Sequence, residues 1–357
     1  MMDKSSKIKI IYGVSGEGSG HAIRSREVIR HLVKHGHEVQ VVTYGRGKDL
    51  LGSEFPVTEV FGLHFNYQHN AVRYLPTIWR NLISAPKAVD SLKLMADLFQ
   101  SFCPAVVCTD FEPLTSLTAM RFGVPVVAIG NIHHVLFRRA KVPWRYRHDW
   151  LVARAVIRLI VPRADHYVVT TLADEPVKKS YVHIVPPIVR PSILSAKPSV
   201  GGCILVYDSF KNEKLPAILR KTKQSYHIYG HGQGGPDGNL DFRAFGEQEF
   251  LDDLLNCRAI IGTGGFTLIS ESLVLKKPYL AIPIAGQFEQ IDNALELERL
   301  GYGKMLRLAQ ANGVAEFLNN LDVFEERLET YRHPGNDRAM ALIESLVNEL
   351  ANVKVIH

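Results

Sequence analysis

Residues 259–303 hold the pattern that most restricts the fold of this 357-residue chain. The short apolar run Ala259–Ile261 leads into the glycine-rich run GTGG at 262–265, and a stretch with helical spacing follows at 267–275. A buried strand that ends in glycines and turns into a helix brings unpaired backbone N–H groups to the positive end of a helix dipole. Such a turn suits a phosphate group.

Polar side chains follow this turn in a second segment of the same stretch. The apolar run 278–284 predicts another buried strand, and a polar loop at 286–290 comes after it, with a further helix expected from Asp292. The loop offers two amides and a carboxylate, which suit the hydroxyl groups of a sugar. Glu271 lies about one turn into the first helix, where a carboxylate would reach neighbouring sugar hydroxyls.

The N-terminal part of the chain predicts a βαβ unit with its own glycine-rich turn. Residues 8–14 and 38–43 read as buried strands, residues 22–35 as a helix, and residues 15–21 as the turn between them. The glycine spacing is not GxGxxG, and the second strand ends in Thr43 and Tyr44 rather than in an acid that would hold a ribose. Dinucleotide binding is therefore disfavoured.

Carboxylates and histidines follow the next two predicted strands. Residues 104–109 end at Asp110 and Glu112, a helix is expected over 114–122, and the strand 124–129 is followed by His133 and His134. In open α/β sheets ligands bind at the carboxyl ends of the strands. Asp110 either orients a histidine such as His21 or caps the helix that follows it. His21 is either a general base or a histidine that only hydrogen-bonds its loop.

The long motif of the second half resembles a known donor site. The residues that carry this likeness are Gly264, Gly265, Glu271, Pro278, Pro283, Glu289, Gln290, Asn293 and Ala294. They resemble the signature of GT-B nucleotide-sugar glycosyltransferases, shared by UDP-glycosyltransferases and by the family that makes lipid-linked peptidoglycan precursors. The runs GQFEQIDNALELERLGYG and DFEP are similar to a prokaryotic group often labelled as teichoic-acid-type transferases. Many relatives carry His where this chain has Thr263.

This resemblance implies an α/β fold of the GT-B type, with two doubly wound Rossmann-like domains facing across a cleft. We expect an acceptor-binding domain at 1–190, a nucleotide-sugar donor domain at 191–335 and a C-terminal helix at 336–357 that packs back on the first domain. The proline-rich segment 186–199 marks the linker. Residues 66–100 are expected to be helical. The resemblance implies that they border the acceptor, whereas the residues taken alone favour ordinary helix packing.

The resemblance also implies roles for individual residues. His21, supported by Asp110, would be the general base. The donor would be held by Thr263, Gly264, Gly265, Phe266, Thr267, Glu271, Gln287, Glu289, Gln290, Ser209, Arg243 and Phe245. The acceptor side would include Gly18, Gly20, Glu112, His133 and His134.

Charge and composition restrict the kinds of molecule that the protein could bind. The net charge is +6, and residues 136–163 carry eight basic side chains against the single acid Asp149, with Trp144 and Trp150 among them. This mixture suits an anionic membrane surface or a core helix with a solvated basic face, and both interpretations stay open. No nucleic-acid motif accompanies it. The four cysteines form no CxxC pair, and no apolar run is long enough to span a bilayer. These features favour a cytoplasmic protein, which could also attach peripherally to the inner face of the membrane.

The function expected from the resemblance is inverting transfer of a sugar from a UDP-sugar to an acceptor hydroxyl, on an acceptor that is membrane-bound or lipid-linked. No cofactor or metal site is predicted, and the UDP-sugar is a substrate. Two alternatives share these features. One is a UDP-sugar 2-epimerase of the same architecture, and the other is a non-catalytic, membrane-docked protein that binds sugar nucleotides.

Overall fold

The structure is a computed structural model, and it describes residues 7–62, 67–68, 71–72, 85–137, 142–173, 177, 179–197, 199, 201–208, 210–232 and 234–353. Ser209, one of the predicted donor-site residues, lies outside these described residues. So do Arg138, Arg139 and Lys141 of the basic stretch.

Strands and helices alternate along the described chain. The strands are β1 Lys9–Val14, β2 Glu38–Thr43, β3 Val57–Glu59, β4 Tyr67–Gln68, β5 Ala71–Val72, β6 Val106–Asp110, β7 Val126–Ile129, β8 His166–Thr170, β9 Val182–Val185, β10 Cys203–Tyr207, β11 Ser225–Tyr229, β12 Gly235–Asp237, β13 Leu240–Arg243, β14 Ala259–Gly262, β15 Tyr279–Ala281 and β16 Gly303–Met305. The helices are α1 Ser19–Lys34, α2 Arg46–Leu51, α3 Ala85–Phe102, α4 Pro113–Phe122, α5 His134–Phe137, α6 Arg147–Ile160, α7 Pro191–Leu194, α8 Lys214–Leu219, α9 Glu247–Asn256, α10 Phe266–Val274, α11 Phe288–Leu300, α12 Ala311–Asn319, α13 Leu321–Leu328 and α14 Asp337–Val353.

The chain divides into two compact units. Unit 1 contains the described residues within 1–65, 74–190 and 335–357, and unit 2 contains those within 66–73 and 191–334. Each unit has its own seven-stranded sheet and its own apolar core. The expectation of an α/β fold with two Rossmann-like domains is confirmed.

The sheet of unit 1 is parallel throughout, in the order β3-β2-β1-β6-β7-β8-β9. Its central strand, β1, has the sequence KIIYGV with five of six residues buried, which is typical of a strand covered by helices on both faces. The strand order reverses at β1, and the register pairs Val14 with Asp110. The carboxyl ends of β1 and β6 therefore lie side by side at the topological switch point.

The C-terminal helix α14 completes the core of unit 1. Its buried side chains recur at helical spacing and join the cluster that contains β1 and α1: Ala339, Met340, Ile343, Leu346 and Val347. Asn336, just before the helix, donates a hydrogen bond of 2.7 Å to the carbonyl oxygen of Val189. The end of the chain thus packs on the elements that open it.

The sheet of unit 2 has the order β12-β13-β11-β10-β14-β15-β16 and is parallel except for β12. The order reverses at β10, where the register pairs Tyr207 with Gly262. Asp208, which follows β10, and Thr263, which follows β14, consequently lie at one edge of the sheet. This edge is the ligand-binding edge in open α/β sheets.

Three predicted elements differ from the structure. In the expected helical region 66–100, the described residues form the hairpin β4–β5 and, from Ala85, the helix α3, and the prediction for residues 73–84 lies outside the described residues. The expected turn at 231–238 contains strand β12, which pairs with β13. The polar loop at 286–290 is shorter than expected because α11 begins at Phe288 rather than at Asp292, so Glu289 and Gln290 lie in its first turn.

Candidate active site

The edge of unit 1 brings the predicted base and its partner together. Nδ1 of His21, in the first turn of α1, lies 2.8 Å from Oδ1 of Asp110 at the end of β6. Arg24, one helical turn after His21, donates to both oxygens of Asp110 at 2.7 Å, and Ser25 Oγ donates to Oδ2 at 3.1 Å. The arrangement holds the carboxylate from three sides and leaves it fully buried.

The charge of Asp110 determines the tautomer of His21. Burial opposes ionisation of Asp110, but Arg24 and His21 outweigh it and hold the pKa of this carboxyl well below its usual range. An ionised carboxylate only accepts hydrogen bonds, so Nδ1 of His21 carries the proton of the 2.8 Å bond. Nε2 is then unprotonated and can accept a proton.

Two residues with unusual backbone conformations lie next to His21 and Asp110. Phe111, directly after Asp110, has a φ of 60°, in the left-handed region, and its ring lies parallel to that of His21 within 16°. Gly130, after β7, has a φ of 147°, and a Cβ there would lie 3.0 Å from Asp110 Oδ1 and 3.1 Å from Arg24 Nη2. Strained residues of this kind cluster at functional sites.

The helix cap after β6 is Glu112 and not Asp110. The two oxygens of Glu112 accept hydrogen bonds from the backbone N–H groups of Leu114 at 3.0 Å and Thr115 at 2.7 Å, at the start of α4. Glu112 has no exposed surface. In this structure Glu112 therefore acts as a helix cap, and its place on the acceptor side stays a prediction.

The two adjacent histidines after β7 are also buried. His133 has no exposed surface, and neither of its ring nitrogens has a hydrogen-bond partner among the described residues. Its ring and that of Tyr167 pack edge-to-face, with centroids 5.3 Å apart. Burial lowers the pKa of His133 to about 4, against the opposing charge of Asp110, so the ring is neutral at pH 7. A surface contact between His133 and an acceptor is not supported by this structure. His134 is 7% exposed.

The glycine turn before α1 is shaped by close approach and by handedness. A Cβ at Gly16 would lie 1.9 Å from the carbonyl oxygen of Tyr44. Gly18 has a φ of 84° and precedes α1, and Gly20 is its second residue. Positions 16 and 18 therefore require glycine, and the turn that they form places the first turn of α1 beside the end of β6.

Unit 2 carries the predicted donor turn, residues Thr263–Thr267, between β14 and α10. Gly264 has a φ of 87°, and a Cβ there would lie 2.9 Å from the carbonyl oxygen of Gln290. Asn293 Nδ2 donates to the carbonyl oxygen of Gly264 at 3.1 Å, so α11 braces the turn. Gly265 caps the start of α10, and Phe266 and Thr267 are the first residues of that helix. The backbone N–H groups of the first turn of α10 are thus gathered at this point.

The predicted sugar-binding residues lie on the elements around the donor turn. Glu271 is in the second turn of α10 and is 2% exposed. Gln290 Oε1 accepts a hydrogen bond of 3.1 Å from the backbone N–H of Ile284, which fixes the segment between β15 and α11. Gln287 precedes α11 and Glu289 is in its first turn.

A small pocket adjoins the donor turn. It is lined by residues at the ends of β10 and β14 and just after them, among them Asp208, Asn212, Gly262 and Thr263. Asp208 accepts from the backbone N–H of Asn212 at 2.6 Å and lies 2.9 Å from Nε2 of His231. His231 was not among the predicted site residues. Its position directly after β11, between two glycines, is the sequence signal that points to it.

Arg243 and Phe245 lie at the neighbouring end of the same sheet. The guanidinium of Arg243 forms ion pairs with Asp241 at 2.7 Å and Asp253 at 2.6 Å. Phe245 is 50% exposed, and its ring centroid lies 6.3 Å from that of Tyr207. Phe245 therefore presents an open aromatic face, whereas the charge of Arg243 is compensated within unit 2.

The basic stretch forms a helix with one buried face. Ile157 and Ile160 of α6 are buried, while Trp144, Leu151 and Leu159 are 82%, 58% and 75% exposed. Among the described helices, none combines the length and the apolar character needed to cross a bilayer. The helix thus has a packed face and an exposed face that is apolar and basic, and both interpretations of the stretch stay open.

Comparison with solved structures identifies the fold. The glycosyltransferase of kitacinnamycin has the same fold, with a TM-score of 0.66 at 17% identity over 95% of this chain and 99% of that chain. The two Rossmann-like units therefore have the GT-B fold.

The sequence comparison then defines the family. Residues 8–322 match the profile of glycosyl transferase family 1, and the chain belongs to this family. A Methanosarcina mazei protein named an uncharacterized glycosyltransferase is 26% identical over 98% of this chain and 97% of its own length. A UDP-N-acetylglucosamine–N-acetylmuramyl-(pentapeptide) pyrophosphoryl-undecaprenol N-acetylglucosamine transferase of Staphylococcus haemolyticus is 32% identical, over 34% of this chain and 37% of its own length. The protein is a glycosyltransferase.

Proposed function

We propose that this enzyme transfers a sugar from a UDP-sugar to an acceptor hydroxyl with inversion of the anomeric configuration. The observation that carries the proposal is the 2.8 Å contact between His21 Nδ1 and a buried, ionised Asp110. Because Nδ1 donates to Asp110, Nε2 is the nitrogen that takes the proton of the acceptor hydroxyl. The carboxylate stabilises the imidazolium that forms.

In the proposed reaction one displacement breaks one bond and makes another. The acceptor oxygen attacks the anomeric carbon and loses its proton to His21 Nε2. The bond between that carbon and the diphosphate oxygen breaks, and UDP leaves with the electron pair. Attack opposite to the leaving group inverts the anomeric carbon.

The donor turn stabilises the diphosphate as it leaves. Backbone N–H groups at the start of α10 and the positive end of its dipole stabilise the charge that develops on the diphosphate, and no metal ion is needed for this part of the proposal. Glu271 binds the ribose hydroxyls, and Gln287, Glu289 and Gln290 hold the sugar. UDP is favoured as the nucleotide because the Staphylococcus haemolyticus relative is named for a UDP-sugar.

Calorimetric titration with UDP, GDP, dTDP and NAD tests the donor site. We expect UDP to bind most tightly, and the substitution Glu271→Ala to weaken UDP binding about 10- to 100-fold, because hydrogen bonds to a charged group contribute about 1.5–3 kcal/mol. Glu326→Ala removes an exposed carboxylate from the same unit and serves as the control. Equal UDP affinity of wild type and Glu271→Ala would remove Glu271 from the site.

The acceptor in this proposal is bound to a membrane or linked to a lipid. Two observations support this part: the exposed Trp144, Leu151 and Leu159 beside basic residues of the α6 segment, and the relative named for an undecaprenol-linked substrate. Exposed aromatic and aliphatic side chains beside arginines suit the interface of an anionic bilayer.

Sedimentation with lipid vesicles measures this association. We expect binding to anionic vesicles that weakens as salt is raised. The substitution Leu159→Glu should lower the partition coefficient about tenfold or more, because the leucine side chain that enters the bilayer is lost. Val323→Glu, at an apolar residue of α13 that is 45% exposed, is the matched control. Equal binding of wild type and Leu159→Glu, or no binding at low salt, would contradict the membrane part alone.

A further inference from the structure

A cluster of two histidines and a glutamate lies away from both candidate sites. His31 is in the last turn of α1, and His35 follows the end of that helix. Their i, i+4 spacing places both rings on one side of the helix. Glu344 of α14 meets them there, although it is 313 residues beyond His31 in the chain.

The three side chains converge on a small volume. Nε2 of His31 lies 2.8 Å, and Nε2 of His35 lies 3.8 Å, from the same oxygen of Glu344. One ligand atom from each residue lies within 4.8 Å of the other two. Two ligands of a tetrahedral Zn²⁺ ion with bonds of about 2.0–2.2 Å are about 3.3 Å apart. Small rotations of these side chains reach that separation.

Hydrogen bonding fixes the ring of His35 in the form that binds metals. Its Nδ1 lies 2.8 Å from the carbonyl oxygen of His31, and since a carbonyl only accepts, Nδ1 carries the proton. Nε2 then presents a lone pair toward Glu344. Metal-binding histidines commonly donate their second ring nitrogen to a backbone carbonyl in this way.

Two electron-rich atoms thus face each other without a shared proton. Nε2 of His35 and the Glu344 oxygen are both acceptors at 3.8 Å, and a cation between them would satisfy both. Nearby, the ring of His37 is 4% exposed and has no hydrogen-bond partner for either nitrogen among the described residues.

We propose that His31, His35 and Glu344 form a binding site for a divalent transition-metal ion, with Zn²⁺ as the probe. Two imidazoles and one carboxylate match the ligand preference of this ion. Binding replaces the proton shared by His31 Nε2 and Glu344, which leaves to solvent. Since the side chains are 19%, 41% and 21% exposed, the ion enters directly from solution.

The bound ion would join the first helix of unit 1 to its last. Two of the ligands belong to the α1 segment and the third to α14, which together form part of one apolar core. Metal binding to the folded state alone stabilises that state. The site is therefore structural, and the bound ion adds to the stability of α14 in its docked position.

Calorimetric titration of the tag-free, EDTA-treated full chain with Zn²⁺ tests the proposal. We expect one Zn²⁺ per chain at micromolar or tighter affinity, and a loss of at least about tenfold for both His35→Ala and Glu344→Gln. His35→Ala preserves the hydrogen bond between His31 and Glu344, so it keeps the packing of α1 on α14. Thermal unfolding in EDTA checks that both variants are folded.

The substitution His148→Ala is the control, because His148 has a side chain that is 80% exposed and lies beside Asp149 in unit 1. We expect this variant to bind Zn²⁺ like wild type. We also expect Zn²⁺ to raise the unfolding temperature of wild type and His148→Ala but not that of His35→Ala. Zn²⁺ affinity in Glu344→Gln equal to that of wild type, or no binding at micromolar Zn²⁺, would overturn the proposal and leave a hydrogen-bonded pair.

Discussion

The substitution His21→Ala is expected to lower the rate of sugar transfer about 10²- to 10⁴-fold, the usual contribution of a general base. The reason is the lone pair on Nε2, which the bond from Nδ1 to Asp110 keeps available. Without the imidazole, the acceptor hydroxyl must lose its proton to water. The rate of UDP release, with the acceptor that gives the fastest turnover in a screen, measures the effect.

Two controls separate loss of the base from loss of the fold. UDP affinity is expected to stay within about twofold of wild type, because His21 belongs to unit 1 and the donor turn to unit 2. The substitution His148→Ala, at an exposed histidine of unit 1, is expected to leave turnover unchanged. If His21→Ala keeps more than a tenth of the wild-type rate while folded and bound to UDP, another group removes the proton.

The second large effect is expected from Asp110→Asn, which should lower the free energy of unfolding of unit 1 by about 3–5 kcal/mol. Asp110 and Arg24 are both almost fully buried, and the substitution leaves the guanidinium without its counter-charge. The variant should also transfer sugar more slowly, because His21 loses the partner that fixes its tautomer. Urea unfolding followed by tryptophan fluorescence reports on unit 1, since all three tryptophans fall within its ranges.

The same ion pair makes unit 1 sensitive to acid. The pKa of Asp110 is lower in the folded chain than in the unfolded one, so its contribution to stability is complete above the unfolded pKa of about 3.9. That contribution is lost as the pH falls from there toward the folded pKa. We expect the difference in stability between wild type and Asp110→Asn to shrink over this acidic range.

A matched substitution and a double variant check this account. Asp97→Asn changes an exposed aspartate of α3 in the same unit and should alter stability by less than about 0.5 kcal/mol. Arg24→Leu combined with Asp110→Asn should be more stable than Asp110→Asn alone, since the unpaired buried charge is removed. A double variant no more stable than the single one would show that the guanidinium is satisfied by other groups.

The central strands could be predicted from the sequence because each is an apolar run that ends at glycine or at a polar residue. β2 has the predicted bounds, and β1 and β14 differ from prediction by one residue at one end. The start of α11 could not be predicted in this way. Gln287 to Gln290 are mostly polar and read as a loop, but Phe288 is 1% exposed, so its burial in unit 2 accompanies an earlier helix start.

The arrangement of the candidate-site residues could also be predicted only in part from the sequence. The resemblance implied that Asp110 lies near His21, but the residues alone left Asp110 as either the partner of a histidine or the cap of the following helix. The cap is Glu112, two residues later. Phe111 lies between Asp110 and Glu112 and has a left-handed backbone conformation, so the two carboxylates have different backbone surroundings. Arg24 was missed although it lies one helical turn after His21. Contacts over long separations, such as that of Glu344 with His31, leave no local pattern in the sequence.

The most direct test of the proposed reaction is the anomeric configuration of the product that wild type forms from an α-linked UDP-sugar, followed by proton NMR in the first turnovers. We expect a β-linked product that appears in step with free UDP. An α-linked product would contradict attack by an acceptor activated by His21 in a single displacement. Release of a 2-epimeric sugar without any acceptor would instead identify an epimerase, and absence of UDP release from every UDP-sugar would contradict the choice of donor.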